Sequence, residues 1–270
     1  MSRIAKTFEV LSNAGRKGFI PFITAGDPDL TTSALILEAL AANGADIIEL
    51  GVPFSDPMAD GPTIQASSQR SLVNGVTLHD VLELVRNFRS RFETPIVLFG
   101  YLNPLMQYGF TRFRDDAKNT GIDGVLVTDI VDDEAAVISD LLADGDIDLI
   151  SLVAPTTSDE RLERIAMRAR GFIYAVSRAG VTGARDEMSS SAENLVRRVR
   201  KFTDLPVAVG FGISKREQVE SVGKYADAAV VGSAIVNEIA HAETPKDAVY
   251  RVRIFIRGLL PQVAKTPSGI

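Results

Sequence analysis

Residues 18–53, GFIPFITAGDPDLTTSALILEALAANGADIIELGVP, form the stretch that decides the fold. Both ends are short apolar runs, and each run is nearly continuous rather than alternating. Continuous apolar runs are typical of parallel strands that are covered by helices on both faces. Between the runs, apolar residues return every three or four positions, as they do on one face of a helix. The stretch therefore predicts a strand, a helix and a second strand of a parallel sheet.

The same alternation of strand and helix continues along the chain. Eight apolar runs read as strands, and helical patterns separate them. A chain of 270 residues has the size of an α/β barrel that folds as one unit. Eight units without an evident reversal or linker favour a closed (β/α)8 TIM barrel over the alternative, a doubly wound open sheet. We predict one α/β TIM-barrel domain that spans residues 1–270.

Two segments depart from a minimal barrel. The opening IAKTFEVLSNAG places Ile4, Phe8 and Leu11 on one helical face, which predicts an extra N-terminal helix over the barrel floor. After strand 2, GPTIQASSQRSLVNG reads as an added helix that follows a loop rich in proline and glycine. Long loops after the strands are where such barrels keep their functional residues. The loop after strand 2 is therefore the first place to search for a site.

Composition and charge exclude several classes of function. Hydrophobic residues make up 46% and charged residues 24% of the chain, which are ordinary values for a folded soluble protein. The net charge of -6 offers no basic field for nucleic acid, and no apolar run is long enough to span a membrane. Zero cysteines and a start without a signal peptide predict a cytoplasmic protein.

The residue types near the predicted strand ends narrow the chemistry further. His79 and His241 are the only histidines, and both fall in helical patterns, so we expect no metal site. No lysine stands at the C-terminal end of a predicted strand, which disfavours a Schiff base. The chain also lacks a Walker loop and a dinucleotide-binding pattern. Acid–base catalysis without a cofactor remains.

One acid stands near the end of the second predicted strand. The alternation of side chains along IIELGV puts Ile47, Glu49 and Gly51 on one face and Leu50 on the other. If Leu50 packs outward on a helix, Glu49 points into the barrel mouth. Burial among aliphatic side chains would disfavour its charged form and let it carry a proton near neutral pH. The alternative is an ordinary ion pair with a neighbouring arginine or lysine.

Two further acids stand in the loop FSDPMADGP, which two prolines stiffen. Asp60 is the better catalytic candidate of the two, because it comes just before the added helix and belongs to the same loop as Glu49. Two carboxylates on different supports can donate and remove protons at the same time. The alternative for either Asp56 or Asp60 is a turn or a helix cap.

Two glycine turns late in the chain predict a phosphate site. VGFGIS follows strand 7 and VGSAIV follows strand 8, the loops at which barrels commonly bind phosphate. Ser214 and Ser233 are predicted to begin helices whose N-termini favour an anion. The SRAGVTG loop after strand 6, with Gly180 and Gly183 as hinges, would close over the same group. The alternatives are plain tight turns and a mobile surface loop.

Several motifs occur together in an order that is typical of one family. IELGVPFSDPMADGPTIQ, together with PFITAGDP, NPLMQYG, YAVSRAGVTG, VGFGIS and VVGSAIV, resembles the α subunit of tryptophan synthase from about Lys6 to Gly258. The resemblance implies a (β/α)8 barrel that cleaves indole-3-glycerol phosphate to indole and glyceraldehyde 3-phosphate. It implies no cofactor in this chain, and a β subunit that carries pyridoxal phosphate in an αββα complex.

The same resemblance implies roles for individual residues. Glu49 would move protons at indole C3 and at the glycerol hydroxyl, while Asp60 would hold the indole nitrogen. The indole pocket would comprise Phe22, Tyr101, Thr128, Tyr174 and Phe211. The phosphate would meet Gly183, Gly212, Gly232 and Ser233. Loop closure and contact with the partner would involve Pro53, Asp56, Asn103, Arg178 and Thr182.

The chain departs from the family pattern in two places, and three other functions stay open. Val131 stands where the family more often has proline, and LFGYLNP replaces a version richer in tyrosine. The alternatives are a free-standing indole-3-glycerol-phosphate lyase, another phosphate-binding barrel enzyme such as a sugar-phosphate isomerase, and a regulatory subunit without activity. An intact Glu49 and Asp60 argue against the last of these.

Overall fold

The computed structural model describes residues 1–130, 132–176, 185–210 and 212–260, with the backbone alone at residues 132–133 and 185–189. The strands are β1 Gly18–Thr24, β2 Ile48–Gly51, β3 Ile96–Gly100, β4 Gly124–Val127, β5 Asp148–Leu149, β6 Ser151–Val153, β7 Ile173–Val176, β8 Val207–Gly210 and β9 Ala228–Val231. The helices are α1 Arg3–Asn13, α2 Leu30–Ala42, α3 Pro62–Val73, α4 Leu78–Arg89, α5 Leu102–Tyr108, α6 Phe110–Thr120, α7 Asp132–Ala143, α8 Asp159–Arg168, α9 Arg185–Val199, α10 Arg216–Gly223, α11 Ser233–Ala240 and α12 Pro245–Leu259.

The strands form one parallel sheet that curls into a barrel. Their order is β5-β4-β3-β2-β1-β9-β8-β7-β6. The two ends of this order, β5 and β6, are separated in sequence by Ile150 alone, whose N–H donates to the Val125 carbonyl at 2.8 Å. They are two pieces of one interrupted strand, so the ends of the sheet meet. The predicted (β/α)8 TIM barrel is confirmed, with its fifth strand interrupted at Ile150.

Side chains alternate between an inner and an outer core. Ile20, Ile47, Val97 and Leu126 point into the barrel and form one buried cluster. Leu50 points the other way and packs in the larger cluster between the strands and the helices. This division follows from the two-residue period of a strand. It places Glu49 on the inward face, as the sequence predicts.

The N-terminal helix closes the floor of the barrel. Ile4, Phe8 and Leu11 of α1 belong to the inner core, and the Phe8 ring centroid lies 5.7 Å from that of Phe172. The prediction of an extra helix over the floor is confirmed. The added helix after strand 2 is also confirmed as α3. None of the helices in the described part of the chain combines the length and apolar character that a bilayer crossing requires.

Two carboxylates, one largely and one fully buried, hold the N-terminal ends of the strands. Asp46 accepts a hydrogen bond from the Phe19 N–H at 2.8 Å. Asp123 accepts one from the Ile96 N–H at 2.9 Å and pairs with Arg89 at 2.9 Å. Each acid stands just before a strand and therefore lies at the floor. Hydrogen bonds to backbone N–H groups and an arginine offset the cost of burying such charges.

Two predicted helix starts differ in outcome. Ser233 is the first residue of α11, as the sequence predicts. Ser214 does not begin α10, and that prediction is wrong. The side-chain oxygen of Gln218 accepts from the N–H groups of Ser214 and Lys215 at 2.9 and 3.0 Å, which makes Lys215 the N-cap residue and Arg216 the first residue of the helix.

Candidate active site

Glu49 is buried at the upper end of the inner core. It lies in β2, paired in register with Phe22 of β1 and Val97 of β3. The residue is 1% exposed, and its Oε1 has no hydrogen-bond partner among the described residues. Burial raises the pKa of Glu49 from 4.5 to about 8. At neutral pH its carboxyl therefore carries a proton, as the sequence predicts for a desolvated acid.

Aromatic rings surround the space above Glu49. The Phe22 and Phe99 rings meet edge to face at 5.4 Å, and Phe99 lies 6.5 Å from Tyr174. Gly51 makes room for this arrangement, because a Cβ at position 51 would lie 2.7 Å from Cζ of Phe22. The predicted pocket residues Phe22 and Tyr174 are thus brought together around Glu49. An apolar wall of this kind is what keeps the carboxyl out of water.

Tyr174 lies over a glycine on the neighbouring strand. A Cβ at Gly210 would lie 2.1 Å from the Tyr174 hydroxyl oxygen and 2.7 Å from its Cζ. Burial raises the pKa of Tyr174 well above its usual value, and the charges of Glu49 and Asp60 raise it further. The phenol is therefore neutral and lies close to both acids.

We expect Gly210→Ala to lower the free energy of unfolding by about 1–3 kcal/mol, because the added methyl forces the Tyr174 ring out of its site. Urea denaturation measures this change. Gly258→Ala is the control, since a Cβ there meets nothing within 4 Å. Most of the loss should disappear when Gly210→Ala is introduced into a Tyr174→Leu background. An equal loss in both backgrounds would contradict the steric explanation.

Asp60 reaches the site from the loop after β2. The Tyr101 hydroxyl lies close enough to the Asp60 carboxylate to influence its pKa. Burial raises the pKa of Asp60 from 3.8 to about 6, and the nearby Tyr101 hydroxyl opposes this rise. The N-cap residue of α3 is Gly61, and no side chain caps that end. Asp60 therefore does not serve as the cap of α3, which was one of the two alternative interpretations.

Tyr101 holds the acidic loop, residues 54–62, to the barrel. Its hydroxyl accepts the Ala59 N–H at 3.0 Å, and its ring lies 5.1 Å from that of Phe54. The nearby Thr128 side chain lowers the pKa of Tyr101, against the larger upward effect of burial. Thr128, at the end of β4, donates from Oγ1 to the Gly100 carbonyl at 3.2 Å. Tyr101 thus lies beside Asp60, with Thr128 as a second neighbour.

The predicted phosphate residues that can be described lie at the same end of the barrel. Gly232 is the N-cap residue of α11, and Ser233 is its first residue and is exposed. A Cβ at Gly232 would lie 3.5 Å from Cβ of Phe22, so the start of α11 borders the ring pocket. Gly212 has a φ of 49° and open space around its Cα. Backbone N–H groups at such a helix start favour an anion.

The rim of the mouth combines polar and exposed apolar residues. Pro53 is buried, whereas Asp56 and Asn103 are exposed. The Ser55 hydroxyl donates to the Asp56 carboxylate, so this acid has a local partner. Asn103 belongs to the short helix α5. Met58 is 93% exposed beside these residues.

Several predicted site residues lie outside the described residues. They are Phe211 of the indole pocket, Gly183 of the phosphate site, and Arg178 and Thr182 of the closing loop. Gly180 and Val131 also lie there. Their predicted roles stay predictions. Phe99 and Phe54 were not predicted as site residues. The two-residue period that places Val97 inward also places Phe99 inward, so the sequence carried a signal for Phe99.

A cavity of about 530 Å³ lies outside this cluster of acids. It opens between α7 and α8 and reaches the mouth at Thr128 and Leu152. It lies between β4 and β6, which are neighbours in the barrel but are not paired with each other: β4 pairs with β5, and β6 pairs with β7. Neither Glu49 nor Asp60 lines it. Among the described residues, no group of three or more His, Cys, Asp or Glu side chains is arranged to hold a metal ion.

Comparison with known proteins assigns the chain to a family. The family model described as tryptophan synthase alpha chain matches residues 8–263. The tryptophan synthase alpha chain of Acidiphilium cryptum is 52% identical over 89% of this chain and 87% of its own length. That of Gluconobacter oxydans is 49% identical over 100% of this chain and 98% of its own length.

Solved structures agree with the sequence relatives. Tryptophan synthase subunit alpha from Legionella pneumophila has a TM-score of 0.88 and 38% identity, and covers 96% of this chain and 97% of its own. A structure from Pyrococcus furiosus, described as showing mutual activation of the tryptophan synthase α2β2 complex, has a TM-score of 0.84 and 42% identity over 90% of this chain and 97% of its own. The chain belongs to the tryptophan synthase alpha chain family.

Proposed function

We propose that this chain cleaves indole-3-glycerol phosphate to indole and glyceraldehyde 3-phosphate by acid–base catalysis. The observation that carries the proposal is a buried Glu49, with an unpartnered Oε1 and a pKa of about 8, close to the same phenol as Asp60. A protonated acid in an apolar site is suited to deliver a proton to carbon and to take one back. Family membership supports the identity of the substrate.

Glu49 performs both proton transfers in the proposed reaction. Its carboxyl donates a proton to indole C3, and the ring nitrogen becomes positively charged. The resulting carboxylate then removes the proton of the hydroxyl on the carbon attached to C3. The bond between the two carbons breaks, its electron pair returns to the ring, and the hydroxyl carbon becomes the aldehyde. Glu49 ends the cycle protonated, so no outside acid is consumed.

Asp60 stabilises the charge that develops on the indole nitrogen. With a pKa of about 6, it is mostly ionised at neutral pH and accepts the indole N–H. The neighbouring Tyr101 hydroxyl lowers the pKa of Asp60 and so favours this ionised form. An ionised acceptor positioned before the reaction gains most when positive charge appears in the transition state.

The remaining predicted residues hold the two ends of the substrate. Phe22, Tyr101, Thr128, Tyr174 and Phe211 surround the indole ring. Gly183, Gly212, Gly232 and Ser233 bind the phosphate. The helix start at Gly232 beside Phe22 supports this division, because the phosphate and the ring of one small molecule must lie in neighbouring places.

The mouth of the barrel is also the proposed contact with a β subunit. Pro53, Asp56, Asn103, Arg178 and Thr182 would transmit closure of the site to this partner, which would carry the pyridoxal phosphate. The exposed Met58 and Met106 at the rim support a protein contact there. The α2β2 complex described for the Pyrococcus furiosus relative supports the same arrangement. We further propose that the chain is one domain and acts in the cytoplasm.

Indole release from indole-3-glycerol phosphate tests the proposal. The purified chain is assayed alone and with a tryptophan synthase β subunit, and indole is quantified by chromatography. We expect slow release by the chain alone and faster release with the partner. Equal rates with and without the partner would favour a free-standing lyase. No release in either sample would overturn the proposed reaction and favour another phosphate-binding barrel enzyme.

A further inference from the structure

The helix that follows Asp60 is held to the barrel mainly by polar contacts. The buried side chains of α3 are Ser67, Ser68 and Ser71. Its apolar side chains, such as Ile64 and Leu72, are half-buried or exposed. Burial of apolar area is the usual source of helix docking energy. Because α3 packs on α11 and β1 through small polar side chains and buries little apolar area, specific hydrogen bonds carry much of its attachment.

Two serine contacts attach α3 to the end of β1. The Ser67 and Thr24 hydroxyls are hydrogen-bonded at 2.6 Å. The Ser71 hydroxyl donates to the Ala25 carbonyl at 2.6 Å. The backbone comes close at this point, since a Cβ at Gly26 would lie 2.6 Å from Oγ of Ser71. The segment after β1 and α3 therefore form one contact surface.

A buried ion pair is the charged part of this contact. Arg70 donates from Nε to Oδ1 of Asp27 at 2.7 Å and from Nη2 to Oδ2 at 2.8 Å. The Asp27 side chain has no exposure to solvent, whereas that of Arg70 is 37% exposed. Two parallel bonds fix both distance and direction between the groups. Loss of the arginine would leave a buried carboxylate without its partner, which is strongly unfavourable.

The first turn of α3 transmits this fixed position to Asp60. The Gln65 side chain donates from Nε2 to the Asp60 carbonyl at 2.9 Å. The N–H groups of Ile64 and Gln65 both donate to the Gly61 carbonyl at 3.0 Å. Asp60 is thus bonded to the helix that Arg70 fastens. Its carboxylate is separated from the Asp27 contact by a rigid helix rather than by a free loop.

We propose that Asp27 and Arg70 are positioning residues for the reaction, because their ion pair fixes α3 and so holds Asp60 near Glu49 across the substrate pocket. Neither residue touches the substrate in this proposal. It rests on the proposed function, since it concerns the geometry of the same two acids. A displacement of about 1 Å in such a group can lower the rate by about a hundredfold.

The test compares Arg70→Met with wild type by steady-state kinetics on indole-3-glycerol phosphate. We expect kcat to fall by about 10- to 100-fold with KM changed by less than about threefold, since positioning of Asp60 matters most when charge develops in the transition state. Arg70→Lys, which keeps one charged bond, should recover part of the loss. If Arg70→Met does not fold, Arg70→Lys and Asp27→Asn are measured in its place, with a smaller fall expected.

Arg89→Met is the matched control. Arg89 also pairs with a buried aspartate, Asp123, at 2.9 Å, but at the floor of the barrel. The Arg89→Met variant should have a lower free energy of unfolding, while its kcat stays within about twofold of wild type. If both variants lower kcat to the same extent, the effect of Arg70 is explained by stability alone, and the proposal is overturned. A normal kcat in Arg70→Met would also overturn it.

Amide hydrogen exchange tests the positioning role of Arg70 independently of the proposed reaction. Arg70→Met should speed exchange of the Asp60 amide, which donates to the Pro57 carbonyl at 3.0 Å in the wild type. Arg89→Met should not. An inactive wild type would refute the proposed reaction, and this exchange comparison would still test the support of the loop. Unchanged exchange in Arg70→Met would overturn the positioning role whatever the reaction is.

Discussion

Replacement of Glu49 with glutamine is expected to lower kcat for indole release by at least about a thousandfold. Each positioned acid or base contributes about 10² to 10⁴ in rate, and Glu49 serves as both in the proposed cycle. Glutamine keeps the shape of the neutral carboxyl but cannot give or take the proton. Single-turnover release of indole from indole-3-glycerol phosphate measures the chemical step. Retention of a tenth or more of the wild-type rate would rule out Glu49 as the proton carrier.

The same variant should be more stable than the wild type at neutral pH. The pKa of Glu49 is about 8 in the folded chain and 4.5 when unperturbed, so the unfolded state releases a proton that the folded state must keep. At pH 7 this difference opposes folding by about 3 kcal/mol, a cost that glutamine does not carry. The advantage of the variant grows as pH rises from about 4.5 to about 8 and vanishes below about 4.5.

Urea denaturation at pH 4.5 and pH 7 measures this difference. Glu160→Gln, at an exposed position of α8, is the control and should change stability little at either pH. A Glu49→Gln variant with the stability of the wild type at pH 7 would show that the carboxyl is not desolvated in solution. The activity and stability results together distinguish a catalytic role from a structural one, because a structural acid would lose stability when replaced.

Asp60→Asn is expected to lower kcat/KM at pH 7.5 by about a hundredfold, since the amide cannot offer a negative charge to the indole nitrogen. The wild type should show a bell-shaped profile of kcat/KM. Its acid limb near pH 6 reports protonation of Asp60, because the acceptor must be ionised. Its alkaline limb near pH 8 reports loss of the Glu49 proton, because the donor must be protonated.

The Asp60→Asn profile should lose the acid limb and keep the alkaline limb. Assays of the isolated chain between pH 5 and pH 9 check this expectation. Asp56→Asn, in the same loop but exposed, should keep both limbs. An acid limb that persists near pH 6 in Asp60→Asn would assign that titration to another group and remove the main support for the role of Asp60.

The inward direction of Glu49 could be predicted from local pattern alone. The two-residue period of a strand and the outward packing of Leu50 decide it, and the structure confirms both. The floor helix followed in the same way from the spacing of Ile4, Phe8 and Leu11. Such predictions succeed because side-chain direction within one element depends on the element's own geometry.

Contacts between distant segments could not be predicted in this way. Arg70 and Asp27 are 43 positions apart, and nothing in the residues around either one indicates the other. The bond that the Tyr101 hydroxyl accepts from the Ala59 N–H spans 42 positions. The interruption of the fifth strand at Ile150 also leaves no local signal. These features depend on which distant segments lie side by side in the folded barrel. The residue periodicity within one strand or helix carries no information about that.

The α1 helix at the barrel floor has a consequence for the product. Phe8 and Leu11 fill the lower end of the inner core, so this end offers no exit for a molecule the size of indole among the described residues. In the proposed reaction, indole formed above Glu49 would leave at the upper end of the barrel, where the rim carries Met58 and Asn103. A subunit bound to that rim would receive the indole directly, without its release into solvent, because the floor of the barrel is closed.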